Sequence, residues 1–177
     1  MEVKSVKQFN FISLFAWLAV VLLWAALVFI FATTCYAGSV NAATAEIGNG
    51  EIGANNSGWF VGKYMRGERG PWCAGFVSYV LKKSGNKTFP YYLSSISYYK
   101  EAKARGLLTN NPKPGDLIVF WRKSKKPLVH GHIGIVERVD EHHIHTIEGN
   151  VGEYPAKVKR FTYKRGSIKR LLGFIKT

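Results

Sequence analysis

Trp72-Cys73-Ala74-Gly75-Phe76-Val77-Ser78-Tyr79-Val80-Leu81-Lys82-Lys83-Ser84-Gly85-Asn86 reads as one helix with its stop signal attached. Phe76, Val77, Val80 and Leu81 recur at helical spacing, and the basic last turn runs into Gly85, the residue type that ends helices most readily. Cys73 therefore stands in the first turn. A second helix is expected from Ser94 or Ser95 to Arg105, closed by Gly106, with Ile96, Tyr99 and Ala102 on one face. Past Pro112-Lys113-Pro114-Gly115-Asp116 the pattern changes to short β-branched and aromatic runs: Leu117 to Trp121, His132 to Val139, His143 to Glu148, Val158 to Tyr163 and Leu171 to Ile175. Turn residues such as Asp140-Glu141 separate them. Helices first and an antiparallel sheet or half-open barrel after them predict an α+β domain.

The chain has 177 residues, room for one core and a separate N-terminal segment. From Phe9 to Phe31 it carries no charge, and only Asn10 and Ser13 are polar. A helix of that length can span a bilayer, which takes about 20 residues. Lys4 and Lys7 precede the run and the next basic residue is Lys63, a bias that places the N-terminus in the cytoplasm and the rest outside. Residues 1–45 are thus expected to be a signal or anchor with its linker, and residues 46–177 the exported domain. Ala43-Thr44-Ala45 offers a signal-peptidase site, while the length of the apolar run favours a retained anchor, so both remain open. The stretch from Gly48 to Gly58, rich in glycine and asparagine, reads as a linker.

Net charge is +14; Glu2, Lys4 and Lys7 leave +1 in residues 1–45, so the remainder holds +13. Eight Lys or Arg and no acid lie between Ala156 and Thr177. Such a domain is drawn to polyanions, and export makes an anionic cell envelope the expected partner rather than nucleic acid, although part of this charge is the solvated side of strands. Of two cysteines, Cys35 closes the apolar segment and Cys73 lies in the domain, so no internal disulfide is expected. Residues 32–35 lack the pattern of a lipoprotein signal.

A thiol is only slightly ionised near neutral pH, and a helix N-terminus with a neighbouring imidazole corrects that. Cys73 has the first from its own helix; the competing reading is a small buried hydrophobe. His132 opens an apolar strand and can reach a helix end, with His130 the competing base two residues earlier on the same face. Glu148 and Asn150 are also two apart on a strand, and either can fix the imidazole tautomer. His142-His143-Ile144-His145 does not have a known metal-ligand spacing, and no calcium-type or phosphate-cradling loop is present, so no cofactor is expected. Tyr91, Tyr92, Tyr98 and Tyr99 are read as packing before they are read as a sugar or peptide groove.

Four ordered blocks, Trp72-Cys73-Ala74-Gly75-Phe76-Val77, Pro114-Gly115-Asp116-Leu117-Ile118-Val119-Phe120, Gly131-His132-Ile133-Gly134-Ile135-Val136 and Ile147-Glu148-Gly149-Asn150, resemble a CHAP domain across roughly residues 46–177. The resemblance implies a papain-like α+β fold and a cysteine amidohydrolase or peptidase acting on peptidoglycan, either between muramic acid and L-Ala or within the peptides. It also implies Cys73 as nucleophile, His132 as base, and Glu148 with Asn150 as orienting positions. NlpC-type peptidases share the plan; Glu-Gly-Asn at 148–150 favours CHAP. Papain-like sites commonly place an oxyanion-binding Gln before the nucleophile, and this chain has no Gln after Gln8. A catalytically idle, basic envelope-binding module with the same fold is the rival expectation.

Overall fold

The computed structural model describes residues 17–24, 38–122 and 130–177. The chain divides into two compact units, Met1–Thr34 and Cys35–Thr177. In the first, the described residues 17–24 are helical. Among the described residues no helix is long and apolar enough to cross a membrane, and most of the expected apolar span, 9–31, lies outside them.

The second unit runs α1 (Trp59–Met65), α2 (Cys73–Lys83), α3 (Ser95–Ala104), β1 (Leu108–Thr109), β2 (Leu117–Trp121), β3 (Gly131–Val139), β4 (His143–Val151), β5 (Lys157–Lys164) and β6 (Leu171–Ile175). The strands form one antiparallel sheet in the order β1-β6-β2-β3-β4-β5. Helices first and sheet after gives the α+β architecture. Leu117, Val119, Ile133, Ile135 and Ile147 share a core with Phe76, Val77 and Val80 of α2. The alternate residues Ile118, Phe120, Val136, Ile144 and Phe174 make a second core on the opposite face. Burial on both faces explains why β2 reads as an unbroken apolar run rather than an alternating one.

Eleven residues make a marginal helix on their own, so packing holds α2. Phe76, Val77 and Val80 are fully buried, and each such side chain contributes about 1.5–3 kcal/mol. A Cβ on Gly75 would lie 2.7 Å from the Tyr64 carbonyl oxygen, so glycine is what lets α2 press against the end of α1.

The stretch from Gly48 to Gly58 is not a free linker; it is built into the domain. The Gly48 N–H donates to the Val158 carbonyl at 3.0 Å and the Val158 N–H to that of Asn49 at 2.8 Å. Gly50 bridges Lys157, and an added Cβ there would sit 2.2 Å from the Ala156 oxygen. The buried Glu51 carboxylate accepts from the Trp72 indole at 3.2 Å and from the Ala156 and Asn56 N–H groups at 2.8 and 2.9 Å. Upstream, a helical stretch over 38–44 places Ala43 in the main core, so packing begins before residue 46. Polarity misled the sequence reading here: small residues packed against a strand edge resemble a linker.

Candidate active site

Trp72 precedes α2 without any side-chain cap, leaving first-turn N–H groups free to face an anion. It is fully buried, stacked on Tyr64 with ring centroids 5.6 Å apart, and tethered by its indole to Glu51. The residue before Cys73 is therefore fixed from two sides. Gly149 of β4 receives this corner: a Cβ there would meet Trp72 at 2.8 Å and Phe76 at 2.9 Å.

His132 lies at the start of β3, buried on the face that carries Phe120 and Val136. Its Nε2 donates to Glu148 Oε2 at 2.8 Å. The ring interacts with the Cys73 thiol, which it draws toward the charged form. Arg122, just past β2, brings Nη2 to 3.4 Å from the ring's Nδ1. Glu148 is fully buried, and its Oε1 accepts from Thr146 Oγ1 at 2.5 Å and the Tyr163 hydroxyl at 2.9 Å. Gly134 stands opposite Glu148 in the ladder, and a Cβ there would come within 2.5 Å of Glu148 Cγ. Glycine at 134 is thus what allows the carboxylate to fold across β3 to His132.

Charge follows from these contacts. Burial opposes a proton on His132, but the Cys73 and Glu148 hydrogen bonds outweigh it and hold the imidazole up at about 9. Burial likewise opposes ionisation of Cys73; the His132 hydrogen bond and charge, the Arg122 charge and a hydrogen bond from the Ile133 backbone together draw the thiol below its ordinary value. Both directions favour a thiolate–imidazolium pair. Burial and the adjacent carboxylate push the Tyr163 phenol far up, so it stays a donor.

The structure brings together Cys73, His132 and Glu148. Asn150 stays apart: no hydrogen bond joins its side chain to His132 among the described residues. Its φ of 60° and the register shift between Glu148 and Val151 break the two-residue alternation on which its placement beside Glu148 was expected. His130 is exposed and lies just outside β3, its carbonyl accepting from the Arg122 N–H. His145 binds Asp140 and Thr162, and no cluster among the described residues could hold a metal ion. Of the four tyrosines, Tyr98 is fully buried with its hydroxyl on Ser78, a packing role.

Arg122, Thr146 and Tyr163 were not foreseen. Thr146 alone had a sequence signal, since it lies two residues before Glu148 on the same strand face. A thiol drawn below its ordinary value, an imidazole drawn above its own and a buried carboxylate suit nucleophilic acyl transfer. The chain matches the family model of the CHAP domain over residues 63–150, a span that includes Cys73, His132, Glu148 and Asn150. A search of the curated proteins found no match.

Proposed function

The chain carries a CHAP domain, a papain-like domain of cysteine- and histidine-dependent amidohydrolases and peptidases, and from that premise we propose that it is a peptidoglycan hydrolase cutting an amide bond. The bond is either that joining muramic acid to L-Ala or one within the stem and bridge peptides. The observation that carries this reading is the buried His132–Glu148 hydrogen bond at 2.8 Å beside a cysteine in the uncapped first turn of α2.

In the first half-reaction the Cys73 thiolate adds to the amide carbonyl, and the negative charge passes to the oxygen, which faces the free N–H groups of the first turn of α2. With no Gln after Gln8, these N–H groups are the oxyanion donors of this reading. His132 Nδ1–H protonates the departing nitrogen as the C–N bond breaks, leaving a thioester and a free amine. The now neutral imidazole takes a proton from water, the hydroxide so formed adds to the thioester, and the C–S bond breaks to return the thiolate. Glu148, anchored by Thr146 and Tyr163, keeps the ring oriented and stabilises its charged form. Arg122 adds positive charge beside the sulfur. The basic bias around the apolar N-terminal segment supports export of this domain across the cytoplasmic membrane, with that segment as signal or anchor.

Mass spectrometry of products from purified peptidoglycan tests the reading, with the full chain compared with its Cys73→Ala variant. Stem peptides freed from muramic acid identify an amidase and severed stems or bridges an endopeptidase. Product from Cys73→Ala at the wild-type rate refutes the mechanism, and absence of product from the wild type on several wall types refutes the function.

A further inference from the structure

The C-terminal half of α2 carries chemistry that acyl transfer does not use. Two adjoining cavities of about 440 and 420 Å³ open there, and Arg66, Lys82 and Tyr91 line both. Lys87 extends the basic lining at one end; Lys63, Lys83 and Tyr79 extend it at the other. No Asp or Glu lines either cavity. The buried Glu46 carboxylate holds Lys63 at 2.8 Å and Lys83 at 3.1 Å, so it fixes two ammonium groups while offsetting one charge.

The aromatic floor is equally fixed. The Tyr91 hydroxyl donates to the Tyr64 carbonyl at 2.7 Å, and the Arg66 guanidinium lies 3.5 Å from the Tyr91 ring centre. Stacked this way, a guanidinium keeps its N–H edge free for an incoming anion. Arg66 itself has a φ of 54°, left-handed backbone that a residue with a side chain adopts at a cost. That conformation is the C-cap of α1, whose N–H donates to the Gly62 carbonyl, so the helix end fixes where this arginine stands.

We propose that this trough binds a linear polyol-phosphate polymer. Phosphodiester groups would sit on Arg66 and Lys82, where a forked donor and a point charge converge, and the hydroxylated repeat would run over Tyr79 and Tyr91. Two cavities joined through shared residues suit consecutive units of a chain better than a single small anion. Lys82 is nine residues beyond Cys73 on one helix, about 14 Å away at 1.5 Å per residue, so the bound polymer would lie beside the nucleophile rather than in it. That this holds the enzyme on its wall rests on the function proposed above; the binding itself does not.

The test is titration of the full chain with a synthetic glycerol-phosphate oligomer at about 150 mM salt, where weak surface attraction is screened. Arg66→Ala with Lys82→Ala should weaken binding at least tenfold, the size of effect expected from losing two charge-assisted contacts. Lys164→Ala with Lys169→Ala removes the same charge from exposed positions outside the trough and should weaken it less than about threefold. Lys82→Glu alone replaces the first pair if that pair lowers the melting temperature. Cys73→Ala should bind as the wild type does, which separates this site from the hydrolysis. Equal loss in the two pairs, equally tight binding of a single-stranded DNA of the same charge, or no wild-type binding would overturn the proposal.

Discussion

Replacing Glu148 by Gln removes one charge from the site while keeping a side chain of the same shape. In the wild type the imidazole of His132 is held up at about 9 against a free value of 6.5, on the order of 3 kcal/mol in favour of the charged ring. That is a net figure, because burial works against it. Cys73 and Glu148, each through a hydrogen bond and its charge, together outweigh that burial. Glu148→Gln removes the carboxylate's charge and should thus lower the His132 titration by about one pH unit. Labelled-histidine NMR reads this directly, since the chain has five histidines and His132→Gln assigns the signal. The thiol and ring titrate as a pair, so the measured value belongs to both. The amide oxygen can still accept from Nε2–H, and Thr146 and Tyr163 can turn their hydroxyls to the amide, so folding should persist. A titration unmoved within about 0.3 units would refute the assignment of charge stabilisation to Glu148.

The same pair gives kcat/KM for wall hydrolysis an alkaline limb near 9, where His132 loses its proton, and an acid limb below the ordinary thiol range, where Cys73 gains one; a profile still rising beyond pH 10 would contradict it. Glu46→Gln tests the charge beneath the trough. Burial opposes ionisation of Glu46, but Lys63, Tyr64, Asn49 and Lys83 outweigh it and bring the carboxyl from 4.5 to about 2. A depressed folded value contributes stability that is full above pH 4.5 and lost as pH falls through about 2. Discounted for the half-exposed Lys83, the variant should be about 2 kcal/mol less stable in urea at pH 7, with the deficit closing toward pH 2. Gly149→Ala should cost about 1–3 kcal/mol and depress hydrolysis, because Trp72 and Phe76 are fully buried and cannot move aside; an unchanged urea midpoint would show that the corner is slack.

Where one side chain's neighbours are set by its own strand or helix, the sequence was readable. Apolar spacing located α2, α3 and β2 to β6 to within a few residues, and the Cys, His and Glu of the site stood out because each sits at an element's start or in a glycine-flanked run. Contacts made by register were not readable. Tyr163 reaches Glu148 only because β5 pairs with β4, and Arg122 reaches His132 only because β2 pairs with β3. α1 was readable only as a short helical or loop region after Gly58, for a local reason: it has seven residues, follows Gly58 without a side-chain cap and exposes its leading Trp59, so it lacks both a start signal and a clean apolar stripe. Asn150 shows the converse error, since strand alternation holds only while the backbone stays extended.

The packing of residues 38–46 bears on whether the chain can be cut there. Ala43 is fully enclosed and helical, the Ser39 hydroxyl is bonded to that of Ser84, and Glu46 ties two lysines and a tyrosine. A peptidase needs an extended, accessible strand, and in the folded domain Ala43 is enclosed and helical, although Thr44 and Ala45 are exposed. Scission in the nascent chain would leave a body that folds without Ala42, Ala43 and Ser39, with a hole where they sit. Residues 38–46 are thus part of the folded body rather than a dispensable approach to it.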